Sequence, residues 1–148
     1  NFWWFFTVGI ILWFLRPYLS PISGFWLLKG EENCPWRLHQ IGPWVFGEQK
    51  KPIGYHKFQG RFKGGVWHIS RRDHGKALFE DQGFPETIAF LLSGRTMVEY
   101  RLKLTQGNKQ LAGEMIPRKV TFIHHPPRLN HFMQLEPVPF VLTKKTTM

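Results

Sequence analysis

The sequence predicts a mainly β protein in which a single N-terminal transmembrane helix is followed by a small antiparallel β sandwich or barrel. Two observations lead to this fold class. Residues 2–15 are an unbroken apolar and aromatic run, and the remaining chain is a series of short apolar segments separated by turn residues. The 148 residues therefore divide into a membrane helix with its surface exit (1–28), an irregular basic connector (29–57) and an antiparallel β domain (58–148).

The first segment is interpreted as a membrane helix because its only weakly polar positions are Thr7 and Gly9. A helix over residues 2–15 rises about 21 Å, which is less than the roughly 30 Å of a bilayer core. Continuation through Arg16 and Tyr18 reduces the deficit and places both side chains at the interface. The alternatives are a buried core helix, a signal peptide and an interfacial amphipathic helix. They fit less well, because the run has no polar stripe, no basic start and no small-residue cleavage site.

The connector is predicted to be irregular because Gly and Pro interrupt each apolar run before it reaches the length of a helix. These interruptions are Pro35, Gly42, Pro43, Gly47, Pro52 and Gly54. Just before the connector, residues 25–28 are compatible either with an aromatic belt on the membrane surface or with a short strand.

The clearest strand signal lies at residues 96–105, where apolar and polar side chains alternate with a period of two. Turn residues at 106–109 and an apolar stretch at 111–116 then predict a hairpin. A second hairpin is predicted around Gly64 and Gly65, which tolerate the positive φ of tight turns. The other strand candidates are 58–62, 66–70, 87–92, 120–124, 132–135 and 140–143. Seven or eight short strands are typical of a sandwich or barrel, and no long amphipathic helix is predicted after residue 28.

Charge and aromatic content both favour a protein that works against a partner. The formal net charge is +10, from 20 Lys and Arg against 10 Asp and Glu. With 14 Phe and 7 Trp, the chain carries more aromatic surface than one small core normally buries. Such a surplus usually packs against lipid or another protein. The single cysteine excludes an intrachain disulfide.

Basic residues concentrate after the connector begins and alternate with aromatic ones. The cations are Lys50, Lys51, Lys57, Arg61, Lys63, Arg71 and Arg72, and the aromatic residues are Tyr55, Phe58, Phe62 and Trp67. This combination is compatible with a solvated face, with single-stranded nucleic acid on a small barrel, or with anionic headgroups. Because the chain begins with an apolar anchor, we expect headgroups or an acidic neighbouring subunit, and not nucleic acid.

No constellation predicts catalysis, a metal site or a cofactor. The histidines, His39, His56, His68, His74, His124, His125 and His131, lack the paired spacing of metal ligands. Acidic neighbours raise the pKa of a thiol, so Cys34 beside Glu31 and Glu32 is not an activated nucleophile. Ser70 and Ser93 lack a nucleophile elbow. Glycines 60–65 lack the Lys-Ser/Thr ending of a phosphate loop.

The sequence thus predicts a non-catalytic accessory subunit of a larger membrane complex, single-pass, with its basic domain on the matrix or cytoplasmic side of an organellar inner membrane, mitochondrial as the first choice. The residues expected to contact lipid, headgroups or partner subunits are Trp3, Trp4, Phe6, Trp13, Arg16, Tyr18, Lys29, Lys50 and Lys51. Two alternatives stay open: a membrane-tethered nucleic-acid or ribosome-binding barrel, and a small membrane enzyme that uses His68, His74 or His124.

Overall fold

The computed structural model describes residues 2–15 and 22–146, with side chains from residue 2 to 12 in the first of these ranges. Three helices and nine strands lie in these ranges. The helices are α1 (Phe2–Leu15), α2 (Lys76–Asp81) and α3 (Glu86–Leu92). The strands are β1 (Gly24–Leu27), β2 (Trp36–Ile41), β3 (Trp44–Lys51), β4 (Gly54–Lys63), β5 (Val66–His74), β6 (Thr96–Thr105), β7 (Gln110–His124), β8 (Pro127–Gln134) and β9 (Val138–Lys144).

Eight of the strands close into an antiparallel barrel. Strands β1 to β6 pair in sequence order, β6 pairs with β7, β7 pairs with β9, and β9 returns to β1. The prediction of a mainly β chain with an antiparallel sandwich or barrel is therefore confirmed, and the structure decides for the barrel. Closure leaves these strands without a free edge, which is the usual solution for an antiparallel sheet of this size.

The barrel interior is a packed core of large side chains. Buried and exposed residues alternate strictly along β2, as expected for strands with one face inside. Trp36 stacks on Phe58 with ring centroids 3.8 Å apart, and Tyr100 contacts both Trp36 and Phe140 at 5.0 and 4.8 Å. Aromatic pairs in these geometries add to the hydrophobic burial that holds the wall strands together.

Glycines inside three strands allow neighbouring strands to approach closely. A Cβ atom added at Gly113 would lie 1.9 Å from the carbonyl oxygen of Arg101, and one at Gly60 would lie 2.2 Å from that of His68. Gly47 meets the carbonyl oxygen of Arg37 in the same way. Glycine within a strand often marks such a close approach or a sharp bend in a barrel wall.

One end of the barrel is covered by inserted elements. Strands β7 and β8 form a long hairpin whose outer half, residues 118–134, extends beyond the barrel wall. Helices α2 and α3 connect β5 to β6 at this end, and α3 contacts β8. The ring of Phe84 packs against Phe122 of the hairpin at 5.8 Å. We call this the capped end.

Two sequence predictions about local structure are wrong. Residues 29–57 are not an irregular connector, because β2, β3 and the start of β4 belong to the barrel; the Gly42-Pro43 and Pro52-Ile53 pairs are hairpin turns. Residues 87–92 are not a strand but most of α3, which begins directly after Pro85. Its buried residues Ile88, Ala89 and Leu92 follow helical spacing, which a short apolar run does not distinguish from a strand.

The apolar N-terminal run does form a helix, α1, of 14 residues. It falls short of the predicted transmembrane helix, since none of the helices in the described ranges is both long enough and apolar enough to cross a bilayer. Every side chain described in α1 is exposed or half-buried, with Phe2 at 81% and Trp3 at 74% exposure. Apolar residues cover its whole circumference, so α1 has no polar face to present to water.

Candidate functional site

The end of the barrel opposite the cap carries a segregated positive charge. It is built from the β2–β3, β4–β5 and β6–β7 turns, the start of β1 and the end of β9. We call it the basic end and define it as residues 22–25, 40–45, 60–67, 102–112 and 141–146. Its cations are Arg61, Lys63, Lys103, Lys109, Lys144 and Lys145.

None of the ten carboxylate residues of the chain lies in the basic end. The nearest by strand register is Glu114, which is opposite Arg101. The six cations form no ion pair with any residue that the structure describes, and Lys144 instead lies over the ring of Trp26 at 5.7 Å. A surface with cations and no anions produces a positive potential that attracts anionic partners.

Exposed apolar side chains accompany these cations. Ile41 and Trp44 flank the β2–β3 turn and are 56% and 49% exposed. A tryptophan beside lysines is the combination found where proteins meet the headgroup region of a membrane.

Buried Gln40 fixes the start of β1 to the basic end. Its Oε1 accepts a hydrogen bond from the Ile22 amide at 2.8 Å, and its Nε2 donates to the Gly42 carbonyl at 3.1 Å. The Ser23 hydroxyl oxygen accepts from the Gln40 amide at 2.8 Å. The chain therefore enters the barrel at the basic end, at Ile22.

A groove about 860 Å³ in volume lies on the outer face of β3, β4 and β5. Its cations are Lys57, Arg61 and Arg72, and no carboxylate lines it. Trp44 and Phe46 of β3 form one side. We call this the outer groove; it shares Arg61 and Trp44 with the basic end.

His68 and His74 of β5 also line the outer groove. Their positions are six residues apart along the strand, about 20 Å at the usual rise per residue. The His74 ring stacks on Tyr55 at 4.9 Å, and its buried Nε2 has no hydrogen-bond partner within the described ranges. Burial, together with Lys57 and Arg72, lowers the pKa of His74.

The barrel interior contains a polar network near the capped end. Asp73 accepts two hydrogen bonds from Arg71, at 2.8 and 3.2 Å, and Arg71 donates a third to the Tyr100 hydroxyl at 3.0 Å. Asp73 is almost fully buried, so this bidentate pair neutralises a charge that water does not reach. Burial raises the pKa of Tyr100 to about 12, which keeps its hydroxyl protonated.

His56 completes the network as a neutral group. Burial, with Arg71 and Lys51 nearby, lowers the pKa of His56 to about 3. Its Nε2 lies 3.5 Å from Asp73 and its Nδ1 lies 3.2 Å from the Gln49 side-chain oxygen. At neutral pH the contact with Asp73 is therefore not an ion pair, and the network serves to satisfy buried polar groups.

The sequence-predicted contact residues fall into three places. Trp3, Trp4 and Phe6 lie exposed on α1. Trp13 is within α1 but its side chain is outside the described residues, as are Arg16 and Tyr18 entirely. The three lysines lie at the capped end: Lys29 and Lys50 are exposed, whereas Lys51 pairs with Glu31.

The structure separates the residues considered for chemistry. His124 and His125 lie at the exposed tip of the β7–β8 hairpin, far along the chain from the outer groove, and His131 lies on β8. Ser93 accepts a hydrogen bond from the Gly75 amide at 3.0 Å and so holds the β5–α2 junction. Within the described ranges, no three His, Cys, Asp or Glu side chains are grouped as metal ligands would be.

Sequence reasoning missed the basic end and the outer groove as surfaces. It singled out the cations at 57, 61, 63 and 72 but grouped them with Arg71, which is half-buried and bonded to Asp73 and Tyr100. Alternation along the strand separates them, since β4 residues 57, 59 and 61 face outward while 56 and 58 are buried.

Comparison with known proteins adds no relative: no protein-family model, curated protein or solved structure matches the chain.

Proposed function

We propose that the protein is a non-catalytic accessory subunit held at an anionic membrane surface, with α1 in contact with lipid and the basic end of the barrel facing the headgroups. One observation carries this proposal. The end at which the chain enters the barrel, at Ile22, has six Lys and Arg residues and none of the ten carboxylates. Each cation near an anionic surface contributes about 1 kcal/mol.

The two halves of the molecule support the same orientation. The helix α1 exposes five consecutive aromatic side chains, residues 2–6, which water solvates poorly and lipid solvates well. Ile41 and Trp44 add apolar contacts at the barrel end nearest to the start of β1. In this orientation the capped end points away from the membrane, and its exposed Lys29 and Lys50 are available to an acidic partner subunit.

Vesicle flotation tests the orientation with two charge-matched variants. Both replace three exposed lysines by glutamine and change the net charge equally. The basic-end variant is Lys63→Gln, Lys109→Gln and Lys145→Gln, and the control is Lys29→Gln, Lys50→Gln and Lys119→Gln. Loss of about 3 kcal/mol weakens the basic-end variant roughly a hundredfold on phosphatidylserine vesicles. The control variant should bind like the unmodified chain.

Two results would contradict the proposal. Equal weakening of both triple variants would mean that only net charge matters and that no end of the barrel faces the lipid. Binding that is unchanged by added salt would exclude a headgroup contact through exposed cations, which salt screens over about 10 Å at 0.1 M.

The contribution of α1 is measured on neutral vesicles, where the basic end contributes little. Replacing Trp3, Trp4 and Phe6 with serine removes three exposed aromatic side chains. We expect the chain to float with phosphatidylcholine vesicles before this change and to remain in the pellet fraction after it, because each aromatic side chain contributes roughly 1.5–3 kcal/mol on burial. A variant that still floats would show that α1 is not the lipid contact.

A further inference from the structure

The outer groove has the geometry of a binding site for a small ligand with more than one negative charge. Its residues form a regular grid, because β4 and β5 pair in register. Lys57 lies opposite Arg72, Gln59 opposite Ser70, and Arg61 opposite His68. Hydrogen-bonding side chains thus separate a cationic pair at one end from Arg61 and His68 at the other.

The dimensions of this grid limit the ligand. Lys57 and Arg61 are four residues apart on one strand, which is about 13 Å between Cα atoms. Lysine and arginine side chains are long enough to reach toward the centre from both ends, so the bound anions need not be 13 Å apart. The backbone of Gly47 and Gly60 forms part of the floor. A volume of about 860 Å³ is within the size range of small-molecule sites.

The charge of the groove is available for a ligand. Lys57, Arg61 and Arg72 make no ion pair within the described ranges, in contrast to Arg71 one residue away, which is fully engaged with Asp73. His74 also lines the groove, with its Nε2 atom buried below the surface and without a hydrogen-bond partner in the described ranges. Glu48 lies opposite Lys57 on β3, and Glu99, opposite Ser70, is paired with Arg118, so the three cations of the groove outnumber the carboxylates beside it. This excess of positive charge favours an anionic guest that brings hydrogen-bonding oxygens.

We infer that the outer groove binds one multiply phosphorylated headgroup of a membrane lipid. The phosphates contact Lys57 and Arg72 at one end and Arg61 at the other, and the polar ring of the headgroup lies over Gln59 and Ser70. This inference rests on the proposed function, because Arg61 and Trp44 belong both to the groove and to the end that faces the bilayer. It adds specificity to that function: one stoichiometric site, distinct from diffuse attraction to negative charge.

Calorimetric titration of the full chain, kept in a neutral detergent, with inositol 1,4,5-trisphosphate tests the site without any membrane. We expect saturable binding of one molecule per chain. Lys57→Gln with Arg72→Gln should weaken it at least tenfold, as should Arg61→Gln alone. The control pair Lys119→Gln with Arg128→Gln removes the same charge outside both the groove and the basic end and should leave the affinity within twofold. These side chains are exposed, so folding is checked by circular dichroism and is expected to persist.

Several outcomes overturn the inference. Absence of saturable binding does so, as does equal weakening by the control pair. Tighter binding of an oligouridylate in the same groove, lost with the same variants, would make the occupant a nucleic acid. In each case phosphatidylserine flotation decides separately whether the proposed membrane association stands.

Vesicles distinguish a lipid headgroup from a free metabolite. Vesicles with phosphatidylinositol bisphosphate are compared with phosphatidylserine vesicles of matched surface charge. The chain should prefer the bisphosphate at least tenfold, and the groove variants should lose this preference while still binding phosphatidylserine. Soluble binding without any such preference would refute the lipid assignment. Failure to bind either vesicle would instead refute the proposed function.

Discussion

The buried Arg71–Asp73 pair allows a quantitative test of what holds the barrel together. Asp73→Asn keeps the shape of the side chain but removes its charge and replaces one acceptor oxygen by a donor. Arg71 then retains one good partner at Asp73 and the Tyr100 hydroxyl at 3.0 Å. Removing one member of a buried pair costs about 3–5 kcal/mol. Because 20% of the Arg71 side chain still reaches water, we expect the lower value, about 3 kcal/mol.

Urea unfolding followed by circular dichroism measures this loss at pH 7. In thermal unfolding of a domain of this size, a loss of 1 kcal/mol lowers the melting temperature by roughly 4 °C, so Asp73→Asn should lower it by about 12 °C. Glu48→Gln, on the outer face of β3, is the matched control and should change the free energy of unfolding by less than about 0.5 kcal/mol.

A double variant separates the pair from the site it occupies. Arg71→Met with Asp73→Leu removes both charges and fills the same space with apolar atoms. It should be more stable than Asp73→Asn, because no charge is left without its partner, but less stable than the original chain, because the buried Tyr100 hydroxyl loses the hydrogen bond from Arg71. The reasoning is refuted if Asp73→Asn costs less than about 1 kcal/mol, or if the double variant is less stable than the single one.

Three further predictions concern the barrel. His56 takes up a proton only near pH 3 when the chain is folded but near pH 6.5 when it is unfolded, so the free energy of unfolding should fall by up to about 1.4 kcal/mol per pH unit as pH drops from 6.5 to 5. The melting temperature of His56→Gln should depend less on pH over this range than that of the original chain. The same pH dependence in both would contradict this reasoning. Gly113→Ala should cost several kcal/mol in urea unfolding, since its Cβ would lie 1.9 Å from the Arg101 oxygen, and a near-neutral change would refute the close approach. Gln40→Leu should cost about 1–3 kcal/mol by leaving the buried Ile22 amide unpaired, with amide hydrogen exchange at Ile22 accelerated; unchanged exchange would count against it.

The pH dependence of stability that His56 produces is partly offset by its neighbour Asp73. Burial raises the pKa of Asp73, so the folded chain binds this proton more readily than the unfolded chain does as pH falls toward 4. That effect stabilises the fold in acid and opposes the loss from His56. The loss from His56 should therefore be partly offset wherever the folded chain holds the Asp73 proton and the unfolded chain does not.

The strands with alternating apolar and polar side chains were the part of the fold that could be predicted from the sequence. Thr96–Thr105 is β6 with the predicted bounds, and the Gly64-Gly65 turn joins β4 to β5 with positive φ at both glycines. Period-two patterning and turn chemistry are local, so they can be recognised without the fold. The prediction for residues 29–57 was wrong because Gly and Pro interrupt apolar runs at hairpin turns as well as in irregular connectors.

Helix α3 could not be separated from a strand by its pattern alone. Its seven residues contain five apolar ones, and only the packing of Ile88, Ala89 and Leu92 against the barrel end, with Phe90 left 71% exposed, decides between the two periods. Tertiary burial overrides a weak local preference in segments of this length.

The candidate surfaces depend on information that no single segment contains. Lys63, Lys109 and Lys145 are distant in the sequence, and they share one barrel end only because β4 and β9 end there and the antiparallel β7 begins there. Net charge alone predicted an anionic partner but not where it would bind. In the closed antiparallel barrel, the first, third and fifth connections between consecutive strands from β1 to β7 lie at the capped end, and the second, fourth and sixth lie at the basic end. The distribution of carboxylates between these two sets gives the surface its charge asymmetry, and the described chain enters the barrel at Ile22 on the carboxylate-free side. These two facts are the basis of the proposed membrane orientation.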